Sequence, residues 1–494
     1  MSHSASAMPV DGDPPPLGEG TRSRPTIPRS IGCLVLLGLA LLGVLAACDW
    51  QPVQPTDQPE ASATASISTA TPAPGQLPAP EPSGTPAQST GTPVDAGPAG
   101  TPAVSNAITL TMWTTVSFSP TLNITSGQIL AQQVDLYEAD HPRVRLEFVL
   151  KEPYGKGGLL DFLSTAGAVV PGLLPDLMIL DVDELGMAVQ TGLVQPLDGL
   201  IPENLLTDLY PFAREAATFN GQLYGLQVQA DLDHLIYNTG KMTSPPRSWS
   251  NVLSGPGPYL FPAGGKAGLA NDAFLVQYLA VQDQSGATGP DSPFLNADNL
   301  TRVLQFYRDA WSSGIVPAKI MSYHTTDDVW NDYALGQAAL AQVSAHRFLL
   351  ALRQSPSHGG DLERLTSSAV APIPAVNGPA APIGRGWVLV LVTSDPARQA
   401  AAVDWMVQLM NPATNAAWNE AADYLPTRAA AMAEWRPGES YSQFIRQQLQ
   451  AAHPRPLLVD YTRVAAALQE AILAVLNGTA TPQEAANQAI AGSQ

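Results

Sequence analysis

Apolar positions from residue 108 onward alternate between two spacings, which predicts strands and helices in turn along the chain. The segments 108–113 and 143–150 are typical of strands, and in 143–150 every second residue is apolar. Apolar residues within 129–137 recur at helical spacing, and the run 177–180 is typical of a buried strand. This alternation predicts an α/β fold with largely parallel sheets.

Two later helices have clear predicted starts. Asp395 precedes Pro396, and Asn411 precedes Pro412. Asp and Asn are favoured N-cap residues, and proline is favoured at the first helical position. A helix is therefore expected to begin at each of these two sites.

The N-terminal region resembles a secretion signal that ends at a lipidated cysteine. An apolar stretch, Ile31–Ala47, follows several arginines and ends in Leu45-Ala46-Ala47-Cys48, which resembles the bacterial lipoprotein lipobox. We therefore predict a signal peptide over 1–47, with Met1 or Met8 as the start. Cys48 is predicted to carry the lipid that anchors the protein to the extracytoplasmic face of the cell membrane. The alternative is an uncleaved signal anchor with an incidental cysteine.

Residues 48–106 are predicted to be a disordered tether. They are rich in Pro, Thr, Ala and Ser and contain no Lys or Arg. Such a composition cannot bury enough apolar surface to fold. The working domain is therefore expected over 107–494.

Composition and motifs exclude several classes of function. The net charge of −19, with no basic run, argues against a nucleic-acid partner. The two cysteines exclude a disulfide framework, and no cluster of residues predicts a metal or cofactor. The GxSxG, HExxH, GxxxxGK[ST] and GxGxxG motifs are absent, which argues against an enzyme. The acid pairs Asp231/Asp233 and Asp327/Asp328 are expected to be solvated loop charges.

Four segments together resemble one known family. The segments 174–200 and 219–242 are similar to the extracellular solute-binding proteins of ABC importers, of the maltose-binding type. Residues 333–348 and 372–428 are similar to later segments of that family, in the same order. Two departures are that Gln227 replaces a usual proline and that the segment ending at His346 replaces a usual glycine and tryptophan.

This resemblance implies a type II periplasmic-binding-protein-like fold with two hinge-connected lobes that close around a ligand. It places lobe 1 at about 107–234 and 392–432, and lobe 2 at about 239–386 and 440–494. The chain would cross between the lobes near 235–238, near 387–391 and after Arg428.

Three site candidates come from the ends of predicted strands. Trp113 ends the first strand, and Asp181 and Asp183 follow the run 177–180. Ligands of open α/β sheets bind at the carboxyl ends of strands, so these residues are expected on one rim. Trp113 could stack on a sugar ring or be a core residue. Asp181 and Asp183 could accept hydroxyl hydrogen bonds, although Asp183 could instead cap a helix.

The resemblance supplies the remaining candidates, which are Gln229, Asp231, Trp330, His346, Arg385, Trp387 and Tyr424. Arg385 could bind hydroxyls or a carboxylate with its forked donors, or it could form an ion pair between the lobes. Trp330 could be a helix-core residue, and Trp387 could pack the hinge. Gln229, Asp231 and Tyr424 could be ordinary polar or exposed positions.

The resulting hypothesis is a monomeric, membrane-tethered binding protein that delivers a carbohydrate to the permease subunits of an ABC importer. It is expected to be no enzyme and to need no cofactor. Acids at Asp181, Asp231 and Asp327 leave open a cationic ligand such as a polyamine or peptide. A sensor or adhesion module is a further alternative, and a wall-acting hydrolase is a weaker one.

Overall fold

The computed structural model of the chain describes residues 107–285, 294–354, 365–456 and 460–493. The predicted signal peptide, Cys48 and the tether lie outside the described residues. No helix in the described part of the chain is both long enough and apolar enough to cross a membrane.

Twelve strands and sixteen α-helices are defined in these ranges. The strands are β1 Ile108–Thr114, β2 Val144–Leu150, β3 Leu177–Asp181, β4 Thr218–Phe219, β5 Gln222–Leu223, β6 Leu226–Asp231, β7 Asp233–Asn238, β8 Tyr259–Leu260, β9 Leu340–Ser344, β10 Ser368–Ala371, β11 Ile383–Leu391 and β12 His453–Pro454. The first ten helices are α1 Thr125–Asp140, α2 Leu159–Val169, α3 Leu185–Gln190, α4 Glu203–Leu206, α5 Pro211–Ala216, α6 Trp249–Ser254, α7 Asp272–Ser285, α8 Ala297–Ser312, α9 Thr326–Ala334 and α10 Ala345–Gln354. The others are α11 Pro396–Leu409, α12 Pro412–Ala421, α13 Ala429–Glu434, α14 Glu439–Ala451, α15 Tyr461–Leu476 and α16 Pro482–Ser493.

The first sheet has the strand order β12-β11-β3-β1-β2, and β6 also pairs with β11. β1 is parallel to β2 and β3, whereas β11 runs antiparallel to β3 and β6. Helices α1, α2 and α11 contribute apolar side chains to a core on this sheet. This sheet and its helices form the first lobe.

The second sheet has the order β10-β7-β9-β8 and belongs to the second lobe. β7 is antiparallel to both of its neighbours, and only β8 pairs with β9 in parallel. The expectation of largely parallel sheets is therefore wrong for this lobe. β7 follows β6 after a single residue, so it is not preceded by the helical crossover that joins parallel strands. Its partners in the sheet, β9 and β10, come from distant parts of the chain.

The chain passes between the sheets earlier than the sequence suggested. β6 ends in the first sheet at Asp231 and β7 begins in the second at Asp233, so the first crossing lies at Leu232. The predicted crossing near 387–391 is wrong, because those residues pair with β3 in the first sheet. The second crossing lies before them, at the start of β11. There, Gly386 has φ of 140°, and a Cβ at this position would lie 2.2 Å from the Gln229 carbonyl oxygen.

A third apolar cluster joins the two lobes at these crossings. It contains Leu232 from the first crossing, Leu349 from α10, and Trp435, Tyr441 and Ile445 from the C-terminal region. All five residues are buried to at least nine-tenths. The lobes therefore share a packed joint in addition to the strands that connect them.

Local sequence signals predicted the early elements well. The predicted strands at 108–113, 143–150 and 177–180 correspond to β1, β2 and β3, and the helical spacing within 129–137 corresponds to α1. Both predicted helix starts are confirmed, because the side chain of Asp395 accepts from two backbone amides of α11 and that of Asn411 accepts from one of α12.

Candidate functional site

A cleft of about 580 Å³ is lined by residues of both lobes. The first lobe contributes residues that follow β2 and β3, together with Trp387 of β11. The second lobe contributes the loop 262–271, the start of α7 and the segment 324–327. A concave space with aromatic walls and a few polar groups is the usual form of a small-molecule binding site.

Aromatic rings and a carboxylate are joined on the first-lobe wall. The Tyr154 hydroxyl donates to Asp181 Oδ2 at 2.5 Å, and the ring centroids of Tyr154 and Trp387 lie 6.1 Å apart. Asp181 Oδ1 accepts from the Asp183 backbone amide at 2.9 Å, so the residue that caps this turn is Asp181 and not Asp183. This wall offers aromatic faces for an apolar ring surface and carboxylate oxygens for hydroxyl groups.

Arg385 binds three carboxylates at the base of the cleft. Its Nη2 lies 2.7 Å from Asp231 Oδ2 and 2.6 Å from Asp233 Oδ1, and its Nη1 lies 3.2 Å from Asp272 Oδ2. All three aspartates are at most 8% exposed. Because Asp231 and Asp233 lie on either side of the first crossing, Arg385 ties the hinge strands together. Of the two roles considered for Arg385, ligand binding and an ion pair between the lobes, the ion pair matches these contacts.

Arg455 continues this network along the lining of the cleft. Its Nη2 lies 2.8 Å from Asp272 Oδ1, and its Nη1 lies 2.9 Å from Asp183 Oδ2. Burial alone would raise the pKa of Asp272, but Arg455 and Arg385 outweigh burial and hold that pKa below its ordinary value. Asp272 is therefore a fixed negative charge between two guanidinium groups.

His346 and Tyr424 form a stacked pair beside Asp231. Their ring centroids lie 4.6 Å apart with the planes 25° from parallel. The His346 amide donates to Asp231 Oδ1 at 2.9 Å, and His346 Nδ1 donates to the Asp423 carbonyl at 2.9 Å. Burial raises the pKa of Tyr424 to about 12, so its hydroxyl stays protonated and can donate to a ligand.

Two acids that line the cleft have raised pKa values. Burial raises the pKa of Asp183 to about 7, even though Arg455 acts in the opposite direction. Burial, together with the charges of Asp181 and Asp183, raises the pKa of Glu184 to about 7. A raised pKa means that each of these carboxyl groups takes up a proton more readily than an exposed acid, and a protonated carboxyl group can donate as well as accept a hydrogen bond.

Seven of the ten predicted site residues line the cleft, and they are Asp181, Asp183, Asp231, His346, Arg385, Trp387 and Tyr424. Trp113 does not line it and is buried in the first core with 4% exposure. The strand register explains this difference. Trp113 pairs with Met178, three residues before Asp181, so it lies about 10 Å behind the rim.

Gln229 and Trp330 also lie away from the cleft surface. Gln229 is fully buried on β6, where it pairs with Trp387 of β11. Trp330 is 1% exposed in the second core, with the Arg347 guanidinium 4.8 Å from its ring centroid. Helical spacing within α9 turns this tryptophan toward the core. Trp330 is therefore a helix-core residue, which was one of the alternatives for it.

Four residues that line the cleft were not predicted as site residues from the sequence, namely Tyr154, Asp233, Asp272 and Arg455. The prediction that Asp231 and Asp233 are solvated loop charges is wrong, because both residues lie on buried strands next to Arg385. No local pattern marks Asp272 or Arg455, because they meet only through the fold. A signal was available for Asp233, since polar residues within a strand of apolar residues require a buried partner.

Carboxylates outnumber cationic side chains in the lining of the cleft. In the described ranges, no three His, Cys, Asp or Glu side chains are grouped so that they could hold a metal ion. Seven carboxylates and three Lys or Arg side chains line the cleft. The arrangement can therefore accept many hydrogen bonds from a ligand with several donors.

Comparison with known proteins gives both a family and a fold. The family described as bacterial extracellular solute-binding protein matches residues 133–444. The chain is 30% identical over 135 residues to the maltotriose-binding protein of Pyrococcus abyssi (strain GE5 / Orsay). That match covers 26% of this chain and 30% of the relative, so it spans less than a third of the relative's length.

Solved structures share the architecture at low sequence identity. The cyclic α-maltosyl-1,6-maltose binding protein from Arthrobacter globiformis has a TM-score of 0.61 at 20% identity, covering 78% of this chain and 98% of its own. The maltose-binding protein from Listeria monocytogenes, in complex with maltose, has a TM-score of 0.59 at 16% identity, covering 78% of this chain and 97% of its own. These similarities concern the fold, and they confirm the predicted two-lobed α/β architecture.

Proposed function

Because the chain belongs to the family of bacterial extracellular solute-binding proteins, we propose that it captures a maltooligosaccharide in the interlobe cleft and delivers it to an ABC importer. The relative from Pyrococcus abyssi is a maltotriose-binding protein. The observation that carries the proposal is the first-lobe wall, where Tyr154 and Trp387 lie 6.1 Å apart beside Asp181.

The chemistry of this wall fits a chain of sugar rings. Each ring has an apolar face that packs on an aromatic side chain, and hydroxyls around its edge that donate to carboxylates. Tyr154 is 48% exposed, so its ring is available to a ligand. The Lys266 ammonium lies 5.9 Å from the Tyr154 ring centroid, across the cleft. A ligand lying on Tyr154 would therefore touch both lobes.

The proposed mechanism is a shift between open and closed forms. A ligand that contacts both lobes binds the closed form more tightly and raises its population. The importer would then recognise the closed form. Binding without chemical turnover is part of the proposal, so a bound sugar is expected to be released unchanged.

The proposal also includes the membrane anchor and the tether. A lipid on Cys48 would hold the protein at the extracytoplasmic face of the membrane. Residues 48–106 would then let the binding domain move over a distance on the order of 40 Å. The domain would meet the permease subunits as a monomer.

A cationic ligand is the second candidate, because the seven carboxylates that line the cleft outnumber its three Lys and Arg side chains. A polyamine or a basic peptide would use this excess of negative charge. Much of the excess is already neutralised within the network of Arg385 and Arg455, which favours the sugar.

Thermal unfolding of the full chain distinguishes these ligands. A ligand present at about a hundred times its Kd stabilises the protein by about 2.7 kcal/mol, which gives a clear rise in Tm. We expect a rise with maltotriose and none with spermidine or an oligolysine peptide. A rise with the cationic ligands alone would replace the sugar proposal with the second candidate. Release of glucose or maltose during the incubation would instead indicate a hydrolase.

A further inference from the structure

The guanidinium of Arg455 contacts carboxylates of both lobes in the cleft. Asp183 belongs to the turn that follows β3 in the first lobe, and Asp272 begins α7 in the second lobe. Arg455 binds Asp183 through Nη1 at 2.9 Å and Asp272 through Nη2 at 2.8 Å and 2.9 Å. Its side chain is 25% exposed and lines the cleft. One side chain therefore spans the gap that a ligand would enter.

The two ends of this contact differ in how firmly they are held. Asp272 is 7% exposed and has a second cationic partner, Arg385. Asp183 has 27% side-chain exposure, and Arg455 is its only ion-pair partner among the described residues. The Asp183 carboxylate therefore depends on Arg455 alone for an ion pair within the described part of the chain, whereas Asp272 does not.

We propose that Arg455 is a positioning residue of the ligand cleft, which holds Asp183 against the second lobe and thereby sets the balance between open and closed forms. The effect on ligand affinity rests on the proposed function, whereas the effect on the lobes does not. Arg455 supplies what closure requires here, because closing the cleft removes the Asp183 carboxylate from water. A buried carboxylate without a partner opposes closure, and a guanidinium beside it offsets that cost.

The fold supplies a matched pair of variants. In Arg455→Gln, Asp183 loses its partner, so closure must bury an unpaired carboxylate. In the double variant Arg455→Gln/Asp183→Asn, that carboxylate is gone. A positioning role therefore predicts that the second substitution reverses much of the first. A packing role of Arg455 predicts no such rescue, because Asn has almost the same size as Asp.

Double electron–electron resonance measures the distance between two spin labels, one on each lobe. The labels are attached to a keto amino acid that replaces the exposed residues Ser164 of α2 and Arg302 of α8. This chemistry does not label the native cysteines. The full chain is measured without ligand at pH 8, well above the ordinary pKa of a carboxyl group. We expect Arg455→Gln to raise the ratio of open to closed forms on the order of tenfold. In the double variant, most of that increase is expected to be reversed. Arg463→Gln, which breaks the exposed pair with Asp460, is the control and leaves the distances unchanged.

The possible outcomes separate this inference from the proposed function. The positioning role would be overturned if the distances are unchanged in Arg455→Gln, or if the double variant keeps the distances of Arg455→Gln. This holds even if maltotriose binds normally. The expected distance changes in a protein that binds no sugar would support the role and contradict the sugar proposal. If both hold, maltotriose affinity falls in Arg455→Gln and recovers in part in the double variant.

Discussion

Replacing Arg385 by Met is expected to lower the free energy of unfolding by roughly 3–5 kcal/mol. The substitution keeps much of the side-chain volume but removes the partner of Asp231 and Asp233, and it leaves Asp272 with Arg455 alone. The three carboxylates are at most 8% exposed, so water cannot easily replace the guanidinium. Urea denaturation of the full chain, with linear extrapolation to zero urea, measures the change.

The control for this prediction is Arg463→Met. Arg463 and Asp460 form an exposed pair, with side-chain exposures of 48% and 58%. Its loss is expected to change the free energy of unfolding by about 1 kcal/mol or less. A loss of similar size in Arg385→Met would mean that the buried network contributes little to the stability of the fold.

Acid is expected to destabilise the protein through His234. This side chain is fully buried among the rings of Phe348, Tyr441 and Phe444. Its Nδ1 donates to the Leu235 carbonyl, because a carbonyl can only accept, and its Nε2 accepts from the Tyr441 hydroxyl at 3.1 Å. Burial lowers the pKa of His234 to about 4. The imidazole is therefore neutral in the folded protein.

The sign of the pH effect follows from that lowered pKa. Unfolded His234 titrates near its ordinary value of 6.5, so the unfolded chain binds the proton more readily. The contribution of His234 is fully present above pH 6.5 and decreases as the pH falls toward 4. We expect a loss of roughly 3 kcal/mol over that interval, from about 1.4 kcal/mol per pKa unit.

Unfolding measured at several pH values in the wild type and His234→Gln isolates this effect. The difference in unfolding free energy between the two proteins is expected to shrink by that amount as the pH falls from 6.5 to 4. His141→Gln is the control, since His141 is 42% exposed and pairs with Asp404. A constant difference between wild type and His234→Gln would contradict a neutral buried imidazole.

Local periodicity predicted the first lobe better than the second. β1, α1, β2 and β3 occur where apolar spacing placed them, because each element buries one face on a nearby partner. The second sheet depends on pairings between β7, β9 and β10, which lie far apart in the chain. Its antiparallel order reflects the crossing at Leu232, which no local spacing reveals.

The site was predictable where a residue follows a strand and not where two distant residues meet. Asp181 and Trp387 line the cleft as expected, since both belong to strands that meet at the rim. Trp113 lies in the core, which is one of the two alternatives for this residue, because its position depends on the stagger between β1 and β3. Asp272 and Arg455 are separated by 183 positions and form a pair only in the folded chain. Strand ends can be inferred from sequence, whereas register and ion-pair networks depend on the fold.

Calorimetric titration of the full chain with maltotriose, in the wild type and in Trp387→Ala, tests the central claim most directly. Trp330→Phe is the control, because Trp330 lies in the second core away from the cleft. We predict saturable binding to the wild type and to Trp330→Phe, and binding weakened roughly tenfold or more in Trp387→Ala, where the stacking face is lost. Absence of binding to the wild type, or equal affinity in Trp387→Ala, would contradict a sugar held against the aromatic wall of this cleft.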